Sequence, residues 1–270
     1  MALRSAIINV MAMAADKAGR RLVRDFGEVE QLQVSRKGPA DFVSSADLRA
    51  EKILRESLTK AHPDFGLLME ESGESEGKDG RHRWIVDPLD GTTNFLHGLP
   101  HFCISIALER DGQVVAGIVY DPVKDELFWA ERGLGAYIND RRLRVSGRGR
   151  MRDAVFATGI PFLGIQDGPG HEKFLGQLRG VMAECAGVRR FGSAALDLAY
   201  VAAGRYDGYW ENGLNPWDVA AGVLLVREAG GQASDISGRR YELGAADICV
   251  GNDQLHQPLR KLLRSAAKPD

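Results

Sequence analysis

The chain has 270 residues, of which 44% are hydrophobic and 27% charged, and a formal net charge of −2. That balance belongs to a globular protein with a substantial core, and it argues against a surface that seeks nucleic acid at large. Cys103, Cys185 and Cys249 are far apart and odd in number, so neither a disulfide framework nor a Cys/His zinc site is expected; each reads as a small hydrophobe in a reducing compartment.

Leu3, Ile7, Met11, Ala15, Ala18, Leu22 and Phe26 recur at helical spacing. The apolar run through Ala12-Met13-Ala14 imitates a signal peptide, but Asn9 interrupts it and the periodicity continues beyond it. One amphipathic helix and a cytoplasmic location are therefore expected. No stretch has the eighteen apolar residues of a membrane span. Leu32-Gln33-Val34 predicts a short strand and Arg36-Lys37-Gly38-Pro39 a loop. The segment Asp41–Asp47 opens a helix that runs to about Lys60. Ser44 and Asp47 have near-capping-box spacing, which makes a first-turn acid the ordinary reading of Asp47. Phe65–Met69 predicts a strand ending at Glu70-Glu71-Ser72, with a polar loop from Gly73 to Arg83.

Trp84–His97 organises the chain. Trp84-Ile85-Val86 has the character of a buried strand end. Asp87 and Asp90 then flank Pro88, which stiffens the turn; Gly91 permits a left-handed backbone, and Thr92, Thr93 and Asn94 favour caps. Backbone N–H groups beyond them could face an anion. Two carboxylates about 4 Å apart repel by ~4 kcal/mol at an effective dielectric near 20, and a phosphate beside them adds to the repulsion. A hard divalent cation removes it, so the stretch reads as a metal-plus-phosphate site for Mg²⁺. An ordinary surface turn is the competing reading.

Phe102–Leu108 and Val114–Tyr120 predict a hairpin turning at Asp111-Gly112, and Leu127–Glu131 with Gly135–Ile138 a second strand pair, so His101–Val145 reads as an antiparallel meander. The arginines at 141, 142, 144, 148, 150 and 152 form a basic run where the chain crosses between halves, 1–145 and 146–270. A solvated linker is its default reading and an anionic partner the alternative. Ala154–Thr158 predicts a strand, 159–170 a Gly/Pro-rich loop, and Glu172–Glu184 a helix. Gly192-Ser193 caps a helix from Ala194 that stops near Gly204, giving a second helix N-terminus able to receive an anion. Tyr206–Glu211 reads as a strand. Pro216 opens a helix closed by Gly230-Gly231, with Asp218 either a cap acid or a site residue. Ile248–Val250 predicts a buried strand and Gln254–Ala267 a final amphipathic helix.

Four segments together resemble the inositol monophosphatase family: Asp41-x-Val-Ser-x-x-Asp47, Glu70-Glu71-Ser72, Asp87-Pro-Leu-Asp90-Gly-Thr92-Thr-Asn94-Phe, and Trp217-Asp218-x-Ala-Ala-Gly222 running to Glu228-Ala-Gly-Gly231. Gly192–Asp197 and Gly133-x-Gly135 agree. The resemblance spans nearly the whole chain and implies an α+β fold, a layered αβαβα sandwich, usually a homodimer, with two or three Mg²⁺ per site. It makes Glu70, Asp87, Asp90 and Asp218 metal ligands, joined by the Leu89 carbonyl. Thr92, paired with Asp47, would orient and deprotonate a metal-bound water, with Glu70 also catalytic. Asp90 and the Gly91 and Thr92 backbone would meet the phosphate. Gly192, Ser193, Ala194, Glu211 and Asp218 would line the sugar or inositol side. The expected activity is hydrolysis of inositol 1-phosphate, with lithium inhibition.

The Thr158–Phe162 loop lacks a serine that some animal members place near the substrate. The family also contains enzymes acting on fructose 1,6-bisphosphate, histidinol phosphate and 3′-phosphoadenosine 5′-phosphate; the absence of long insertions favours a small monophosphate. A phosphatase with an aspartyl nucleophile would typically carry Asp-x-Asp, whereas two residues separate the acids here. A regulatory or RNA-associated role through Arg141–Arg152 could coexist with catalysis.

Overall fold

The computed structural model describes residues 4–28, 34–38, 41–161 and 168–265. Ser5 caps α1 (Ala6–Phe26), and Ser44 caps α2 (Ser45–Ala61). Between them β1 (Val34–Gly38) and β2 (Asp41–Ser44) pair antiparallel, so Arg36–Gly38 is strand where a loop was expected. Leu32 and Gln33, predicted to begin that strand, lie outside the described residues.

The next eight strands form one sheet. Chain order gives β3 (Gly66–Met69), β4 (Gly73–Ser75), β5 (His82–Asp90), β6 (Cys103–Arg110), β7 (Gln113–Asp121), β8 (Glu126–Glu131), β9 (Gly135–Ile138) and β10 (Arg141–Arg142). Spatial order is β10-β9-β8-β7-β6-β5-β3-β4, and the predicted meander is its β6–β10 part. Asp111 and Gly112 both have positive φ, 51° and 73°, as a two-residue hairpin turn requires. The expected loop over residues 73–83 holds for residues 76–81, flanked by an edge strand, β4, and the first residues of β5. Its polar composition reflects the solvent beside an edge.

A five-stranded sheet follows, in the order β12-β11-β13-β15-β14: β11 (Val155–Thr158), β12 (Gly187–Arg189), β13 (Gly208–Asn212), β14 (Gln232–Ser234) and β15 (Asp247–Gly251). The three-residue strands β12 and β14 were not anticipated, because they are too short to carry a periodic signal. Four helices accompany this sheet: α4 (Gly168–Met182), α5 (Ala194–Ala202), α6 (Pro216–Glu228) and α7 (His256–Ser265). The α4 helix starts at Gly168, inside the predicted loop, and Ala266 and Ala267 of the predicted last helix lie outside the described residues.

Strand alternation sorts the apolar side chains into layers. Trp84 and Val86 face Ile8, Met11, Leu22, Leu54 and Leu58 of α1 and α2 on the outer face. Ile85, Ala107, Val119 and Phe128 point the other way, against α5 and α6. Every residue of α5 is buried, as a helix enclosed between two sheets must be. Beyond the second sheet Phe156, Trp210 and Cys249 meet Val181 of α4 and Leu259 and Leu263 of α7. The result is an αβαβα sandwich, with α5 and α6 as the layer both sheets share.

The basic run is only partly a solvated linker. Arg141 and Arg142 form β10, Leu143 is buried, Arg148 pairs with the buried Asp207 at 3.1 Å, and Arg150 pairs with Asp153 at 2.5 Å. All three cysteines are free, and Cys103 and Cys249 are buried. No described helix is long and apolar enough to cross a membrane.

Candidate active site

In a regular strand residues 87 and 90 would point to opposite faces. Here Asp87 lies opposite Ser105 and Asp90 opposite Cys103, so three steps along β5 meet two along β6. The extra residue is a bulge at Pro88-Leu89, and it returns both carboxylates to one side of the sheet. Pro88, with no N–H to give a ladder, suits an irregular pairing. The Leu89 N–H donates to Asp87 Oδ1 at 2.9 Å. Gly91 then takes φ 99°, and a Cβ there would sit 3.0 Å from the His101 carbonyl oxygen. This left-handed step turns the chain into the short helix α3 (Thr92–Leu96).

Thr92 Oγ1 lies 3.0 Å from Asp47 Oδ1 and 3.0 Å from the Leu89 carbonyl oxygen. Asp47 is also the capping-box acid of α2, accepting the Ser44 N–H at 2.9 Å and the Ser44 hydroxyl through Oδ2. The two readings of Asp47 therefore coincide in one carboxylate: Oδ2 closes the cap and Oδ1 faces Thr92. Burial pushes its pKa up, against the bonds from Ser44 and Thr92 that hold it down. One turn later on α2, the buried Glu51 accepts the Glu71 N–H at 2.8 Å and so holds the β3–β4 turn that carries Glu70.

The N-terminus of α5 does receive an anion, and that anion is the carboxylate of Asp90. Oδ2 of Asp90 accepts Ser193 Oγ–H at 2.6 Å and Ala195 N–H at 2.7 Å, with Cys103 Sγ 3.7 Å away. Asn94 ties the same region together, donating to the carbonyls of His101 at 2.8 Å and Phe191 at 2.6 Å. Asp218 is the third residue of α6; its Oδ2 accepts the Asn215 N–H at 2.7 Å, so it is a capping acid as well as a member of the cluster.

Burial raises the pKa of Asp87 and Asp218 well above the usual carboxylate range, and neighbouring carboxylates add to it: Glu70, Asp90 and Asp218 act on Asp87, and Asp90, Glu70 and Glu211 on Asp218. Asp90 is raised by burial too, with Ser193 and the α5 backbone opposing. Glu211, at the end of β13, is pushed up to about 7, chiefly by burial; its partners are the Tyr209 hydroxyl and the Gly159 N–H. Gly159 leaves room for that carboxylate, since a Cβ there would lie 1.8 Å from Glu211 Oε1.

A carboxylate whose folded pKa exceeds its unfolded value makes the fold less stable as pH rises between the two. For Glu211 that window runs from about 4.5 to about 7. Glu211→Gln should therefore raise the melting temperature of the chelated protein by a few degrees at pH 8 and leave it nearly unchanged at pH 4.5. An equal shift at both pH values would assign the effect to packing.

The predicted site residues thus fall into connected groups. Glu70, Asp87, Asp90 and Asp218 share one electrostatic field; Thr92 meets Asp47 and the Leu89 carbonyl; Ser193 and Ala194 lie at the helix end that binds Asp90. Gly192 (φ 82°) lies against the Arg190 guanidinium. Sequence reading gave no site role to Glu51, Asn94, Arg190 or the buried Asp197, whose pKa is raised by burial and then by Glu211 and Asp90. Asn94 and Asp197 lay inside the motifs already quoted, and Glu51 had its i+4 spacing from Asp47 on one helix face.

Do these residues suit a divalent cation? Among the described residues no three His, Cys, Asp or Glu side chains are already drawn into a cation cage. The donor chemistry nevertheless fits Mg²⁺, which takes hard oxygen ligands, keeps several waters and binds through few carboxylates plus substrate phosphate. Mutual repulsion of the acids is the feature that such an ion would relieve.

The profile of the inositol monophosphatase family matches residues 3–268. The chain is 59% identical over 266 residues to the inositol-1-monophosphatase of Mesorhizobium japonicum, covering 98% of each. It is 45% identical over 249 residues to the Nus factor SuhB of Escherichia coli, covering 92% of each. The crystal structure of the extragenic suppressor protein suhB from Bartonella henselae superposes with a TM-score of 0.93 at 60% identity, covering 96% of this chain and 99% of that one. With the motifs, the layered fold and the matched length in agreement, the chain belongs to the inositol monophosphatase family.

Proposed function

We propose that this protein is a cytoplasmic, Mg²⁺-dependent phosphomonoesterase that hydrolyses inositol 1-phosphate to inositol and phosphate. The observation that carries this reading is the shared field of Glu70, Asp87, Asp90 and Asp218 beside the Thr92–Asp47 hydrogen bond. The four carboxylates and the Leu89 carbonyl would hold two or three Mg²⁺. When bound, the ions supply positive charge for the phosphoryl oxygens and the leaving alkoxide and make a water more acidic. Thr92 has one hydroxyl proton to give; donated to the ionised Asp47, it leaves the oxygen lone pairs free to orient the attacking water and take its proton. Glu70 would hold that water from the opposite side. The Gly91 and Thr92 N–H groups would bind phosphate oxygens. Gly192, Ala194, Glu211 and Asp218 would meet inositol hydroxyls, whereas Ser193 acts chiefly by fixing Asp90. A homodimer and lithium inhibition form part of the same reading.

Phosphate release from a panel tests it: inositol 1-phosphate, fructose 1,6-bisphosphate, histidinol phosphate, 2′-AMP and 3′-phosphoadenosine 5′-phosphate, each with Mg²⁺ and with chelator. The expected result is preference for inositol 1-phosphate, abolished by chelator. Preference for another ester would keep the site and change the substrate; no Mg²⁺-dependent release from any would overturn the reading.

The 45% identical relative named Nus factor SuhB favours a second, regulatory or RNA-associated role through Arg141–Arg152 that coexists with catalysis. Salt-dependent RNA binding that survives Asp87→Asn and fails after Arg-to-Ala changes within 141–152 would support it. No binding at low salt would remove it.

A further inference from the structure

Away from the carboxylate cluster, the C-terminal end of α6 gathers arginines from four elements. Glu228, in its last turn, accepts the N–H groups of Gly133 and Gly135 at 2.9 and 2.8 Å, which pins the β8–β9 turn and its Arg132 to the helix end. The Arg142 guanidinium of β10 lies over Gly135, so β10 brings a second arginine to the same turn. Arg227, half-buried beside Glu228, donates to the Tyr241 carbonyl at 2.8 Å, and this anchors the segment that carries Arg240. Val145 donates to the Ala229 carbonyl at 3.2 Å and closes the remaining side.

Arg132, Arg142 and Arg240 are exposed, and among the described residues none of the four arginines forms a salt bridge. Arg132 touches the Gln113 side chain, a neutral partner. Glu228, at the helix end, has its two oxygens engaged by backbone N–H groups. Arg240 and Arg132 also act on Arg227, lowering its pKa after the effect of burial. Other arginines on this surface do have acidic partners, such as Arg81 with Asp111, Arg83 with Glu109 and Arg205 with Glu126. Unpaired guanidinium groups from separate elements, converging on one rim, make a site for a ligand with several negative oxygens.

We propose that Arg132, Arg142, Arg227 and Arg240 form a second anion site that binds a multiply charged phosphoanion, separate from the catalytic carboxylates. The site requires no part of the catalytic reading: it is cationic and uses other residues. Its ligand carries at least two phosphoryl charges, because four guanidinium groups gathered at one rim need several negative oxygens to balance them.

The test is isothermal titration calorimetry of the full chain with inorganic triphosphate, in chelator and low salt, so that the acidic site repels the probe. Wild type should bind at one equivalent per chain, and the affinity should fall as salt is raised. Arg132→Ala and Arg240→Ala, both exposed, should each weaken binding about tenfold, which is ~1.4 kcal/mol, and leave Mg²⁺-dependent phosphate release unchanged. Arg150→Ala, whose partner is Asp153, is the control and should bind as wild type does. No binding by wild type, or an equal loss in the Arg150 variant, would overturn the proposal. So would single-stranded RNA binding at this rim while triphosphate does not, since a polynucleotide surface would then be the correct description.

Discussion

Asp90→Asn should lower kcat by at least ~100-fold, the upper range for losing a group one shell further from a metal. The geometry says why a nearly isosteric change is so costly. Oδ2 is occupied by Ser193 and Ala195, both donors, so an asparagine must place its amide oxygen there. Its NH₂ then points where Oδ1 stood, toward the other acids, and a donor faces the position proposed for the cation. The fold should not suffer. The variant removes one of several mutually repelling charges, so in chelator its melting temperature should equal or exceed that of wild type. Mg²⁺ separates the two proteins. At ~100 times its dissociation constant a ligand stabilises by about 2.7 kcal/mol, or ~5–10 °C for a chain of this size. Wild type should show that rise and Asp90→Asn should lose most of it. A variant that kept both turnover and the Mg²⁺-dependent rise would refute the assignment of Asp90.

The layered fold was legible because its main elements are long and periodic. The interior strands β5–β8 alternate or run continuously apolar, α1 carries an uninterrupted helical stripe, and Asp111-Gly112 marks a hairpin. What escaped had no such signal. The strands β12 and β14 are three residues each, and β4 is polar because it lies at an edge. At the site, local chemistry led to Asp87 and Asp90 as a pair, but a strand read by its period of two would have put them on opposite faces. The bulge that reunites them is a matter of register with β6, and register is a tertiary fact. The same holds for the α5 N-terminus. Sequence identified an anion-receiving helix end, yet only the fold supplies the anion, Asp90, from 103 residues earlier in the chain. Local readings of Asp47 and Asp218 as caps were right and incomplete: Asp47 closes its cap with one carboxylate oxygen and meets Thr92 with the other, and Asp218 caps α6 while sharing the field of Asp90 and Glu70.

That double use of Asp47 makes its contributions separable. Ser44→Ala removes the cap hydroxyl and should cost about 1 kcal/mol of stability, as N-cap losses do. Asp47→Asn should cost a similar amount and also lower kcat by ~10²–10⁴, the usual contribution of a positioned general base. An asparagine that keeps its oxygen on the Ser44 N–H offers an NH₂ to Thr92. The Thr92 hydroxyl must then accept from it and turn its proton to the Leu89 carbonyl, 3.0 Å away. One of its two lone pairs is then taken by the amide, and the carboxylate that would accept the proton is gone. The pH profile distinguishes this from damage to the helix. Burial raises the Asp47 pKa and the Ser44 hydroxyl lowers it, so Ser44→Ala should move the acid limb of kcat to higher pH while the plateau stays within a few-fold of wild type. A merely structural Asp47 predicts the same melting-temperature losses but a plateau kept by both variants and an acid limb that does not move.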